Sequence, residues 1–361
     1  MATEVLSPSL EPLRTGAPPV RVSTVARVRV TQAEGVQASV RRAMELASWR
    51  EHVRGSRIFL KINTLSFPLV PGTNTSPWVL EGVLQTIREA MPQVRIQMGD
   101  SQIVGADNVR RARTIWGYDR LAAKYGAEYV DLSRDELVEV PVDGLHVKKL
   151  TFPRTLLEAD CLVTLPVMKV HHLSTITASL KNQWGCLPTF RHNFHPVMHQ
   201  VIVDINQALR PCFAVIDGTV CQEGKGPRTG NVRIADLILA SPDLVAADSA
   251  AARYMGFDPR AIGYLVNAEA RGLGSIDAEL VGDDVGSERF ATPKSNLLGA
   301  LHKRLRASFL KPLLFDTPLV QLLAKAALAY NTLLWYPFVA RPRARALIRE
   351  SWYGPQFPYR G

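Results

Sequence analysis

The stretch LPVMKVHHLSTITASLKNQWG, residues 165–185, carries Lys169, His171, His172, Thr177, Lys181 and Asn182 in quick succession. Lysine offers positive charge to a carboxylate or phosphate, and histidine changes protonation near neutral pH. Side by side they suit the binding of a small anion and the movement of a proton on it. The apolar run 160–170 leads into them, so a buried strand would deliver Lys169, His171 and His172 to the rim of a cleft. A helix predicted from about Thr175 to Trp184 would follow. It would carry Thr177 and Lys181 four residues apart on one face and bury Ile176, Leu180 and Trp184 on another.

Other polar groups fall where strands are expected to end, the place where open α/β sheets bind ligands. Lys61 and Asn63 end one run and Asp100 ends another. Thr75 and Ser76 precede Pro77, with Ser76 as N-cap, and a helix start of this kind can hold an anion. Asp217 ends FAVID, and Glu223 opens a glycine-rich loop just after it. Lys61, Lys169 and Lys181 would converge on an anionic ligand, with His171 or His199 moving a proton. Asn63, Thr75, Ser76, Asp100, Asn182, Asp217 and Glu223 would line the site.

The segment RHNFHPVMHQVIVDINQALRP places His195, His199 and Asn206 along one helical line. Histidines four apart can share a divalent or transition metal ion, which would then polarise the substrate. No glutamate completes an H-E-x-x-H motif, His192 in the preceding loop is a poor third ligand, and a carboxylate would join His195 and His199 on the metal. Acid–base and purely structural roles for these histidines stand beside the metal reading.

The elements that must position these groups alternate between strand and helix. RVRVT, RIFLKIN, VRIQMGD, AEYVDL, DCLVTLPVMKV, FAVID, DLILA and AELVG read as strands, with helical spacing over 35–48, 77–90, 196–209 and 243–256. This pattern predicts an α/β fold, a mainly parallel sheet covered by helices, in two lobes around a cleft. We divide the chain into a proline-rich arm (1–22), a body (23–291) and a helical tail (292–361). No G-x-G-x-x-G or Walker loop supports a nucleotide cofactor, and no C-x-x-C pair supports an iron–sulfur cluster. The four cysteines are expected to be free thiols in a reducing cytoplasm.

The net charge of +10 sits almost wholly in the tail. Residues 292–361 hold eleven Lys/Arg and two acids, which leaves the preceding residues at +1, and they hold ten of the 27 aromatic residues. Leu297, Leu298, Leu301, Leu305 and Phe309 form one arc of a predicted helix over 295–310. Trp335, Tyr336 and Phe338 precede Arg341, Arg343 and Arg345. Such a tail suits an anionic membrane surface at the inner face, lying on it and not through it. The alternative is packing on the body or in a homo-oligomer. Nucleic acid is not expected, because the body is nearly neutral and no recognition motif is present.

Several blocks resemble the prokaryotic family known as domain of unknown function 362. They include FLKIN, TNTSP, GDS, WGYDRLAAKYGAEYVDL, LPVMKVHH with SLKNQWG, HPVMHQVIVDINQALRP and IDGTVCQEGKGP, in order between about Arg57 and Gly282. Many members of that family append a ferredoxin-like cysteine module, which this chain lacks. A redox role would therefore require a partner to supply electrons. The resemblance implies no established activity. The residues themselves point to an enzyme acting on a small anionic metabolite, by metal-assisted proton transfer or redox chemistry, or else to a non-catalytic metal- or cofactor-binding accessory protein.

Overall fold

The computed structural model describes residues 23–102, 108–188, 191–294, 317, 322, 326 and 329–357, the side chain of His192 excepted. The arm 1–22 and the helix expected over 295–310 lie outside them.

The strands, in chain order, are β1 (Thr24–Arg29), β2 (Arg57–Ile62), β3 (Arg95–Asp100), β4 (Ala127–Asp131), β5 (Leu137–Pro141), β6 (Lys149–Pro153), β7 (Cys161–Leu165), β8 (Val167–His171), β9 (Thr175–Thr177), β10 (Phe213–Glu223), β11 (Asn231–Ser241) and β12 (Glu279–Gly282). Ten form one sheet in the order β12-β1-β11-β10-β7-β2-β3-β4, with β8 paired to β10 and β9, while β5 and β6 form a separate hairpin. The β4-β3-β2-β7-β10 half is parallel throughout, and β11 runs antiparallel to both β10 and β1. Alternate residues feed different hydrophobic clusters. Phe213 and Val215 of β10 join one, Ala214 and Ile216 the other, as the two-residue period of a strand requires.

The helix Pro77–Ala90 matches its predicted span and opens with Ser76 and Pro77 as expected. Two expectations near the site are corrected. The run 160–170 is two strands, because Pro166 has no N–H to give a ladder and lets the chain step from β7 to β8. The predicted helix from Thr175 to Trp184 is instead β9, a short helix Ser179–Asn182 and a tight turn Gln183–Cys186. The consecutive Thr175, Ile176 and Thr177 include three β-branched residues that favour pairing with β8.

The cysteine expectation is corrected too. Cys161 and Cys212 form a disulfide with Cα atoms 5.8 Å apart, whereas Cys186 and Cys221 are free and buried. The parallel pairing of β7 with β10 brings the two chain segments together across 51 residues of sequence.

The end of the tail is part of the body. Tyr353 stacks on Trp78 at 5.2 Å, Phe357 meets the same ring edge-on at 4.8 Å, and Tyr353 donates to Asp236 Oδ1 at 2.6 Å. No helix among the described residues is long and apolar enough to cross a membrane.

Candidate functional site

Three parallel strands end together and place the first charged pair. Register sets Lys61 of β2 beside Gly99 of β3 and Thr164 of β7. Lys61 Nζ, fully buried, lies 2.7 Å from Asp100 Oδ1 and donates to the Ile62 carbonyl at 2.8 Å. Asp100 also accepts the N–H groups of Thr64 at 2.6 Å and Ser101 at 2.8 Å. Gly185 closes over this pair. A Cβ there would stand 2.4 Å from Asp100 Oδ1 and 2.8 Å from Lys61 Nζ, so close approach requires glycine.

Strand β8 places the second group. Met168 and Val170 enter the core, so Lys169 and His171 share the opposite face. Lys169 donates to Asn63 Oδ1 and to the Thr73 carbonyl. An ammonium would have a third N–H left over, and a neutral amine would have a lone pair there. Burial lowers the Lys169 pKa from its ordinary 10.5 to about 7, despite the opposing pull of Asp100 and Asp217. His171 Nδ1 accepts from the backbone N–H groups of Leu173 at 3.1 Å and Ser174 at 3.3 Å. Its proton therefore belongs on Nε2. Burial, with nearby Lys181, holds the ring neutral by pushing its pKa well below the usual histidine range.

Lys181 stands opposite. It is 8% exposed, and its hydrogen bond to Thr177 Oγ1 is a long one, 3.4 Å. Thr177 faces Lys169 across the β8–β9 pair. Burial, then Lys169 and Arg191, push the Lys181 pKa well below its ordinary value. The turn bearing Lys181 is clamped from below. Asp248 accepts Ser179 N–H at 2.5 Å and Leu180 N–H at 3.1 Å, and Asn206 donates to the Leu180 carbonyl at 2.8 Å. Asn182 donates to the Lys61 carbonyl and Thr164 Oγ1, both at 2.9 Å, while its buried Oδ1 has no hydrogen-bond partner among the described residues.

Residues 58–253, more than half of the chain, match the family described as Domain of unknown function (DUF362). The chain belongs to this family. Across 72% of this DUF362 protein and 83% of the relative, it is 28% identical to the thylakoid-associated protein sll1697 of Synechocystis sp.. Among solved structures it is similar to the lactate racemase apoprotein of Thermoanaerobacterium thermosaccharolyticum, with TM-score 0.36 and 15% identity over 56% of this chain and 52% of that one. A protein from Thermotoga maritima is similar with TM-score 0.30 and 10% identity, over 61% and 59%. The chain thus spans between half and two thirds of the length of these solved structures.

Not every residue singled out in this DUF362 protein faces the lysines. Asp217 is a clamp: it accepts Ser76 N–H at 2.8 Å, Thr219 N–H at 3.0 Å and Thr219 Oγ1–H at 2.6 Å. The anion at the start of the Pro77–Ala90 helix is therefore the protein's own carboxylate. Thr75 Oγ1 accepts Asn63 N–H at 2.8 Å and donates to the Leu165 carbonyl at 2.6 Å, tying two strand ends together. Glu223 pairs with Arg233 at 3.2 Å and accepts Ala291 N–H at 3.0 Å.

His199 is engaged by the fold at Nδ1. Its Nδ1 accepts Tyr264 N–H at 3.0 Å, capping the helix Gly263–Ala270, and its ring also bonds the Leu173 backbone. The bond at Nδ1 occupies the lone pair that a metal would need there. His195 stacks on Trp184 at 5.9 Å. Among the described residues, no group of three or more His, Cys, Asp or Glu side chains could hold a metal ion.

Arg191 belongs to the site and was not anticipated. It is buried, donating to Ser101 Oγ at 2.6 Å and to the Leu187 and Gln102 carbonyls. Its signal in the sequence was only a basic residue in a histidine-rich loop.

Proposed function

We propose that this DUF362 protein binds a small carbonyl-bearing carboxylate, or a similar anion, against Lys181, Arg191 and the Nε2–H of His171, and that Lys169 moves a proton on it. One observation carries the reading. Lys169, Lys181 and Arg191 are buried together, and among the described residues no ion pair joins any of them to a carboxylate. Asp100 is committed to Lys61, and Asp217 to backbone and hydroxyl donors. Buried charge without a partner is costly, and an anionic ligand would supply the partner.

The division of labour follows from hydrogen bonding. Neutral His171, with Nδ1 already accepting, is suited to donate from Nε2 to a developing oxyanion and not to act as base. Lys169, with a pKa of about 7 and one vertex free, is suited to take a proton. The C–H bond next to the substrate carbonyl breaks, its electron pair becomes the C=C bond of an enolate while the carbonyl π pair moves onto the oxygen, and the proton passes to Lys169 Nζ and back. Lys181 and Arg191 hold the carboxylate and the new charge. The metal suggested by the histidine spacing has no place in this scheme, because His199 is engaged elsewhere.

The test is proton exchange. The protein is incubated with small 2-oxo acids in deuterium oxide, and loss of the protons next to the carbonyl is followed by NMR. Exchange above the protein-free rate is expected, with a loss of about 10²–10⁴-fold in Lys169→Met. Binding without exchange would favour a non-catalytic binding protein. The name of the thylakoid-associated relative also supports a place for this chain at a membrane face.

A further inference from the structure

The tail carries an apolar face that the body does not cover. In the helix Asn331–Ala340, Leu333 is 68% exposed, Leu334 52% and Phe338 76%. Single exposed leucines need no explanation, but a contiguous apolar patch marks a contact surface. This helix is wound in the wide π form, so residues four and five apart neighbour one another and the three side chains fall on one arc. The next helix, Arg341–Glu350, is fixed to the body through buried Ala344 and carries Arg341, Arg343 and Arg345 directly after the patch in the chain, with Arg343 donating to Asn231 Oδ1 at 3.0 Å. No acidic residue occurs between Asp316 and Glu350.

A cleft of about 350 Å³ lies between the tail and the loop at Phe67, where Thr332 and Tyr336 of the same helix border it. Arg111, Arg341 and Arg345 line it together with Phe67 and Tyr336, and among the described residues no carboxylate does. Arg111 is held over the Phe67 ring, 3.7 Å from its centre. Exposed apolar groups beside unopposed arginines fit a surface that is apolar within and anionic at its face. A second copy of the chain fits less well, since its own arginines would meet these.

We propose that the helix Asn331–Ala340 and the arginine-lined cleft form a docking surface for an anionic phospholipid bilayer. Leu333, Leu334 and Phe338 enter the boundary between headgroups and acyl chains, and Arg111, Arg341 and Arg345 meet lipid phosphates. The inference rests on the membrane-face placement proposed above and is independent of the anion site. Truncating the tail would remove Tyr353 and Phe357 from the core, so point variants of the full chain are the proper probe.

The experiment is co-sedimentation with vesicles of phosphatidylcholine alone and of phosphatidylcholine mixed with phosphatidylglycerol. Binding is expected only to the mixed vesicles and should weaken as salt rises. Leu334→Asp with Phe338→Asp, and separately Arg341→Gln with Arg345→Gln, should each weaken it by about tenfold or more. Circular dichroism and melting should be unchanged, because the altered side chains are exposed or on the cleft rim. If the unaltered chain never binds, the membrane placement falls together with this surface. If it binds and both double variants bind equally well, the placement stands and this surface is wrong. A dimer that Leu334→Asp with Phe338→Asp converts to monomer would show that the face serves a second copy, and would also overturn the proposal.

Discussion

Asp100→Ala is expected to destabilise the fold by about 3–5 kcal/mol, because it leaves a buried lysine without its counter-charge. Lys61 is fully buried, and its partners among the described residues are Asp100 Oδ1 and the Ile62 carbonyl. The same substitution strips acceptors from the N–H groups of Thr64 and Ser101. Much of the loss should be recovered when Lys61→Met is added, since an apolar pair of similar volume removes the stranded charge. A denaturant-based double-mutant cycle reads the coupling. A single-variant loss under about 1 kcal/mol would mean that water reaches the pair.

Lys181→Met is expected to act the other way, raising the stability of the ligand-free protein at neutral pH by about 1 kcal/mol or more while removing anion binding. Lys181 gives up one long contact to Thr177 and relieves Lys169 and Arg191 of a neighbouring charge. The sign of the pH dependence follows from its lowered pKa. Between the folded value and the unfolded value of about 10.4, the unfolded chain holds a proton that the folded chain lacks. Raising pH through that window therefore stabilises the fold, by at most about 1.4 kcal/mol per pH unit for one group. Lowering pH through the folded value completes the loss. Lys169 obeys the same rule between about 7 and its ordinary 10.5. Stability curves of the unaltered chain and Lys181→Met, measured by denaturant at several pH values, should converge at alkaline pH and separate below it. Parallel curves would show that Lys181 is solvated.

Much of this site is legible in the sequence because strand ends announce themselves. Lys61, Asp100 and Lys169 end apolar runs, and the parallel register of β2, β3 and β7 brings the first of them together with no further information. The short segment after β8 was harder. Helical spacing of Ile176, Leu180 and Trp184 competes there with the β-branched residues 175–177, and pairing with β8 decides the outcome. Thr177 and Lys181 still meet, but across a strand-to-helix junction. The carboxylates were least legible. Asp217, Asp248 and Asp204 serve as clamps on backbone N–H groups dozens of residues or more away in sequence. Nothing local distinguishes such a clamp from a ligand-facing acid, yet that use is what leaves the cations unopposed. The Cys161–Cys212 bond is hidden for the same reason, its partners being joined by topology and not by spacing.

The buried cation cluster is tested most directly by titration calorimetry at a pH just above 7, with inorganic phosphate and a small 2-oxo acid as probes, in two buffers of different ionisation enthalpy. An anion placed against Lys181 restores the ammonium form that burial disfavours. Binding should therefore take up protons from solution, weaken as pH rises, and vanish in Lys181→Met although that variant is folded. Heat signals that are absent for both probes, or binding that takes up no proton and survives Lys181→Met unchanged, would contradict the assignment of this cluster as an anion site.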